Sequence, residues 1–186
     1  MSFDLSGSGM IGLTRDALTT LRRVLFRDAG ANAAAYLQEA GYAGGPALYE
    51  SFTQWSASNG YAVPENMSAP DFEQRATQFF STLGWGHVRV GVLHDSAVTF
   101  DSSDWAEADP ASAMQYPGCY LSAGLLADFF GRIAGAQLVA MEVECRSMGG
   151  SSTRCRFLLG SAETIQYVYD EMTKGVAYEQ ALGAMA

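Results

Sequence analysis

The sequence predicts an α+β domain: an antiparallel sheet of about four strands, built from two hairpins and packed against helices. Two observations carry that expectation. Apolar residues at helical spacing alternate with two strand-turn-strand patterns, in the order helices, hairpin, helix, hairpin, helix. The chain has 186 residues, 48% of them hydrophobic, which is enough for one well-buried core and little for two. Short turns join antiparallel neighbours, and the helices are expected on one side of the sheet.

Taken in order, residues 1–13 read as a flexible lead and residues 14–186 as a single domain. Thr14 is placed to cap a first helix, with Leu18, Leu21 and Leu25 on one face and Asp16, Arg23 and Arg27 turned away. Helical composition continues from Ala31 to Ser58 through Leu37, Leu48, Phe52 and Trp55, interrupted by Gly41, Gly44 and Gly45. That pattern gives either one kinked helix or two, with the glycines serving close helix packing. After a loop, Pro70-Asp71 opens a helix that turns Phe72, Ala76, Phe79, Phe80 and Leu83 inward and stops at Gly84. Val88, Val90 and Val92 alternate with polar residues, and Ala97 to Phe100 returns after the Asp95-Ser96 turn. Asp101 to Ala113 is acidic and turn-rich, the segment expected to be most mobile. The second block holds a helix through Leu125, Leu126, Phe129, Phe130 and Ile133, a strand from Gln137 to Cys145, and its partner from Thr153 to Leu159. Ser161 caps a closing helix.

Composition excludes several functions. A net charge of −9 with 11 Lys and Arg opposes phosphate-backbone binding, which depends on basic side chains, so nucleic acid is not expected as a partner. No apolar run reaches a membrane span, and the N-terminus lacks the features of a signal peptide, which together predict a cytoplasmic protein with reduced thiols. His87 and His94 bracket the first strand at a spacing that turns them to opposite faces, and no nucleophile accompanies them. No dinucleotide or phosphate-loop motif appears.

The chemistry concentrates between Tyr116 and Phe157. All three cysteines lie here, Cys119, Cys145 and Cys155, with Glu142 and Glu144. Three thiols and a carboxylate suit tetrahedral zinc, and Glu142-x-x-Cys145 followed by Cys155 reads as a hairpin that returns two ligands to one place across the turn Met148-Gly149-Gly150-Ser151. Cys119, after Pro117-Gly118, falls at a helix N-terminus, where the helix dipole favours a thiolate. Residues three apart on a regular strand face opposite sides, so Glu142 and Cys145 can share a metal only if the strand bulges or ends between them. Glu144 is the alternative ligand and meets the same objection.

These residues resemble the C-terminal signature of the 4-vinyl reductase domain family: Cys119 with Gly124, Glu142-x-x-Cys145, a glycine turn, and Cys155-Arg156-Phe157. Ala40-Gly41-Tyr42 with Gly44 and Gly45 is similar to the family's glycine-punctuated helix, and Leu83-Gly84-Trp85-Gly86 to its entry into the first strand. The loop between the last two cysteines is longer than relatives usually carry. The resemblance implies a structural zinc on Cys119, Glu142, Cys145 and Cys155, and an apolar cavity of the kind that serves phenol-sensing activator modules, a bacteriochlorophyll-pathway protein and acyl-holding tethering subunits. It also sets Phe100 near a pocket tryptophan of the phenol sensors.

Three readings follow. The first is a zinc-stabilised, homodimeric module for a small hydrophobic molecule, a sensor or carrier, with a pocket drawn from Phe79, Phe80, Trp85, His87, Phe100, Tyr116, Tyr120 and Phe129 and any output passing to a partner protein. Tyr116 or His87 would fix a polar group of the ligand, and the N-terminal helices to about Ser58 would form the dimer contact. The second is an enzyme or accessory of tetrapyrrole metabolism, for which the sequence supplies no hydride source. The third is a structural interaction subunit.

Overall fold

The computed structural model describes residues 9–150 and 152–185. The first eight positions of the expected lead, and Ser151 of the hairpin turn, lie outside the described residues. Helix α1 (Arg15–Ala29) starts where the side chain of Thr14 accepts a hydrogen bond from the Ala17 amide, and α2 (Asn32–Ser58) follows after Gly30 at φ 54°. The second helix is neither broken nor divided; it runs continuously through Gly41, Gly44, Gly45 and Pro46. Its glycines are explained by α4 (Tyr120–Ala134), which packs along it. A Cβ on Gly41 would stand 1.9 Å from the Leu121 carbonyl oxygen, and one on Gly124 would stand 2.0 Å from that of Gln38. Only backbone fits at either contact.

Ser68 caps α3 (Ala69–Thr82), which begins one residue ahead of the Pro-Asp pair that marks it in the sequence. Strands β1 (Arg89–His94), β2 (Ala97–Ser102), β3 (Val139–Glu144) and β4 (Cys155–Gly160) form an antiparallel sheet in the order β1-β2-β4-β3, so each hairpin stays intact and β2 joins β4. The fold is α+β.

One expectation is corrected. Helices cover both faces of the sheet. On one face Phe100, Phe157, Leu159 and Ala140 pack with α2, α3 and α4 around the main core. On the other, Ala97, Leu158 and Val143 pack with Ile165 and Val168 of α5 (Ala162–Thr173) and with Tyr178, Ala181 and Leu182 of α6 (Tyr178–Gly183). The reason is visible in Phe157-Leu158-Leu159: an unbroken apolar run, rather than an alternation, belongs to a strand buried on both sides. A second correction concerns the turn-rich segment from Asp101 to Ala113. It is held down by Trp105 and Glu107, each only 1% exposed, and by a hydrogen bond from the Asp109 amide to the Ser147 hydroxyl (2.9 Å).

Candidate functional site

Cys119, Glu142, Cys145 and Cys155 come together in a fully buried group, with their candidate ligand atoms all within 4.8 Å of one another. Each arrives by a local device. Cys119 is the residue immediately before α4, and its side chain makes no capping bond there, which leaves the sulfur free to point inward. Its amide donates to Glu142 Oε2 at 2.8 Å. The register of β3 against β4 shifts between Glu142 and Glu144, and Cys145 lies just past the end of the strand, so the parity objection does not apply. Cys155 opens β4 across the hairpin. Glu144 is turned to the opposite face, where Arg154 holds it through two bonds of 2.8 Å and Tyr178 donates to it at 2.5 Å.

The donor set fits zinc. Cys119 Sγ and Cys145 Sγ are 3.7 Å apart, matching the edge of about 3.8 Å of a tetrahedron with zinc-sulfur bonds of about 2.3 Å. Glu142 Oε1 is buried without a hydrogen-bond partner. Burial pushes the Glu142 carboxyl and the Cys119 thiol well above their ordinary ranges; Cys145 adds to both and Cys155 to Cys119, whereas the Cys119 amide and thiol draw Glu142 partly back. Cys155 is lowered by its bond to Cys119 but raised overall by Cys145, burial and Glu142, whereas Cys145 is pulled down by hydrogen bonds from Cys119 and Cys155. Burial therefore opposes ionising several of these groups at once. A divalent cation would let the other ligands ionise together.

Beside this group lies an aromatic cluster in the same core. Phe80 is its centre, with ring centroids 5.8 Å from Phe79, 5.4 Å from Phe100, 5.8 Å from Trp105 and 5.7 Å from Phe129. Trp85 stacks on Trp105 at 5.1 Å, and Phe100 meets Phe157 at 6.2 Å. Of the residues expected around a pocket, Phe79, Phe80, Trp85, Phe100 and Phe129 share this cluster. The other three stand apart: Tyr116 is 65% exposed, exposed His87 pairs with Asp104 at 2.8 Å, and half-buried Tyr120 faces Phe26 at 6.0 Å. His87 instead lines a polar surface groove of about 880 Å³ with Glu73, Arg89, Asp101, Arg154 and Arg156. The groove carries the ion pairs of Asp101 with Arg154 and Arg156, whereas the aromatic cluster is a ring-to-ring interior.

Sequence reasoning missed Trp105 and Phe157 in the cluster, and Arg22 and Glu107 beneath it. A lone tryptophan inside an acidic, turn-rich stretch was the available signal, because an indole is seldom left in water without a partner.

The family model of the 4-vinyl reductase domain matches residues 103–161, the segment that carries all four candidate metal ligands. Among solved structures, the chain is similar to the phenol-responsive sensory domain of the transcription activator PoxR, determined with phenol. Identity is 19%, the match covers 88% of this chain and 82% of that one, and the TM-score is 0.65. The two share a fold. A vinyl-4-reductase family protein from Methanocaldococcus jannaschii is similar at 19% identity over 60% of this chain and 66% of that one, with a TM-score of 0.39. No curated protein matches the chain. Among the described residues, no helix is long and apolar enough to cross a membrane.

Proposed function

We propose that this chain is a sensor or carrier module for a small, neutral, mostly apolar aromatic molecule, received by the cluster around Phe80, Phe100 and Trp105. The observation that carries the reading is the continuity of that cluster with the buried Cys119, Cys145 and Cys155 in one core. A metal there would fix the N-terminus of α4 to the last hairpin and so hold one wall of the ligand site. Zinc on Cys119, Glu142, Cys145 and Cys155 would be structural, because four protein ligands complete its tetrahedron. The similarity to a phenol-responsive domain supports an aromatic ligand, bound through burial at about 25 cal/mol per Å² of apolar surface. Because the rings touch, entry requires side chains such as Phe80 or Trp105 to swing aside, and binding should report on tryptophan emission.

In this reading the module is a homodimer through α1 and α2, works in the cytoplasm, and passes its signal to a partner protein. Titration with phenol, followed by tryptophan fluorescence and melting temperature, is the test. A saturable emission change with a raised melting temperature is expected. If a panel of phenols, fatty acids and a porphyrin moves neither signal, the cluster is plain core. The interaction-subunit reading would then take over, favoured by the ring-to-ring packing already described.

A further inference from the structure

A buried charge pair separates α1 from the rest of the main core. Arg22 is 4% exposed and Glu107 is 1% exposed, and Arg22 Nε stands 3.2 Å from Glu107 Oε1. The same guanidinium donates through Nη1 to the Glu107 carbonyl (2.5 Å) and through Nη2 to the Gly118 carbonyl (2.6 Å), next to the candidate ligand Cys119. Glu107 in turn accepts from the amides of Leu121 (3.2 Å) and Ser122 (2.7 Å) in the first turn of α4, and from the Ser122 hydroxyl (2.5 Å). That hydroxyl accepts the Trp105 indole N–H at 2.7 Å. Hydrogen bonds thus run from Trp105 through Ser122 to the Glu107 carboxylate, and Arg22 of α1 meets that residue through the ion pair and the bond to its carbonyl.

The helix at the other end is lightly held. Leu18 and Arg22 are its only buried residues, and Leu21 on the same helix is half exposed. Its other ties include a bond from Arg15 to the Gly84 carbonyl (3.1 Å), the Phe26–Tyr120 ring contact, and packing against α2 beyond Gly30. Glu107 and Trp105 are separated by one residue in a tight turn, with the Ala108 amide bonded to the Trp105 carbonyl. A displacement of the indole is therefore passed to the carboxylate through Ser122 and to the carbonyl that Arg22 grips through the turn. The alternative is to leave the buried indole N–H without its bond to Ser122, which the low-dielectric interior resists.

Building on the binding role proposed above, we infer that Arg22 and Glu107 are positioning residues that couple the state of the aromatic cluster to the docking of α1. Occupation of the cluster would move Trp105, and through Ser122 and Glu107 it would loosen or tighten the grip on Arg22. The first helix would then be the element on which a bound ligand is read out.

Hydrogen exchange of the α1 amides, measured on the full chain with and without phenol alongside tryptophan fluorescence, tests the inference. In the wild type, phenol should change α1 exchange by at least about fivefold, a shift readily resolved in local opening. In Arg22→Met/Glu107→Gln, which removes both charges together, phenol should still change the fluorescence with an affinity within about threefold of wild type. In that variant the α1 response should be gone. Arg22→Lys, which keeps the charge but loses the two-carbonyl grip, should weaken the α1 response and offers a folded alternative should the double variant misfold. An α1 response that is absent in the wild type while fluorescence reports binding overturns the coupling and leaves the binding role intact, and so does a response that survives in both variants. Absence of any fluorescence change overturns the binding role and the coupling with it.

Discussion

Glu107 and Glu142 are buried carboxylates on either side of the N-terminus of α4, and they are partnered in opposite ways. Desolvation raises the pKa of both. Glu107 is answered from within the protein by a guanidinium, two amides and a hydroxyl. Glu142 has the Cys119 amide on one oxygen, nothing on the other, and three sulfurs around it. The contrast teaches how two buried acids can be told apart. One with its full set of donors is a structural joint, whereas one with an orphan oxygen among three thiols belongs to a group that could hold a metal ion.

The largest expected effect follows from the incomplete side of that contrast. Cys145→Ser, or exhaustive chelation of the wild type, should lower metal content and stability together by about 4 kcal/mol, because a site absent from the unfolded chain makes metal binding part of folding. For a chain of this size that is roughly 10 °C in melting temperature, measurable by calorimetry. An unchanged melting temperature after verified metal removal would make the two carboxylates equivalent and break the comparison.

Next in size is the complete side. Arg22→Met leaves Glu107 buried without its counter-charge and should cost about 3–5 kcal/mol in denaturant unfolding, whereas Arg22→Met/Glu107→Gln should recover more than half of that loss. A double variant no better than the single would mean that packing, and not charge, makes the joint.

The smallest effect sharpens the comparison with a carboxylate at the surface. Hydrogen bonding by Arg154 holds Glu144 below the usual carboxylate range. A lowered folded pKa contributes stability that is present above the unfolded value, about 4.3, and is lost as pH falls through the folded one. Glu144→Gln should therefore flatten the acid limb of the stability profile below about pH 4.3 while costing less than about 1 kcal/mol at neutral pH, the usual worth of a solvent-screened pair.

Much of this was legible in the sequence, for reasons that particular residues make clear. Glu142, Cys145 and Cys155 could be assembled because a hairpin converts short spacing into proximity, whereas Cys119 joined them through the family resemblance, Pro117-Gly118 marking only the helix start where it sits. Phe79, Phe80 and Phe129 declared themselves by helical spacing. The choice between Glu142 and Glu144 could not be read, since it depends on a register shift within β3 that no residue type signals. Arg22 and Glu107 lie 85 positions apart, and each looks like an ordinary surface charge until the fold buries both. Helix α6 was missed because Gly175 ends α5 early and the six residues from Tyr178 to Gly183 are too few to show a period.

Native mass spectrometry of the protein as purified, with elemental analysis of the same sample, bears most directly on the central claim that a metal completes the group around Glu142. One zinc per chain is expected in the wild type, with less in Cys145→Ser and Glu142→Gln and an unchanged content in Glu107→Gln. Wild-type protein that is free of zinc and yet fully folded, with the same melting temperature after zinc is added, would contradict it.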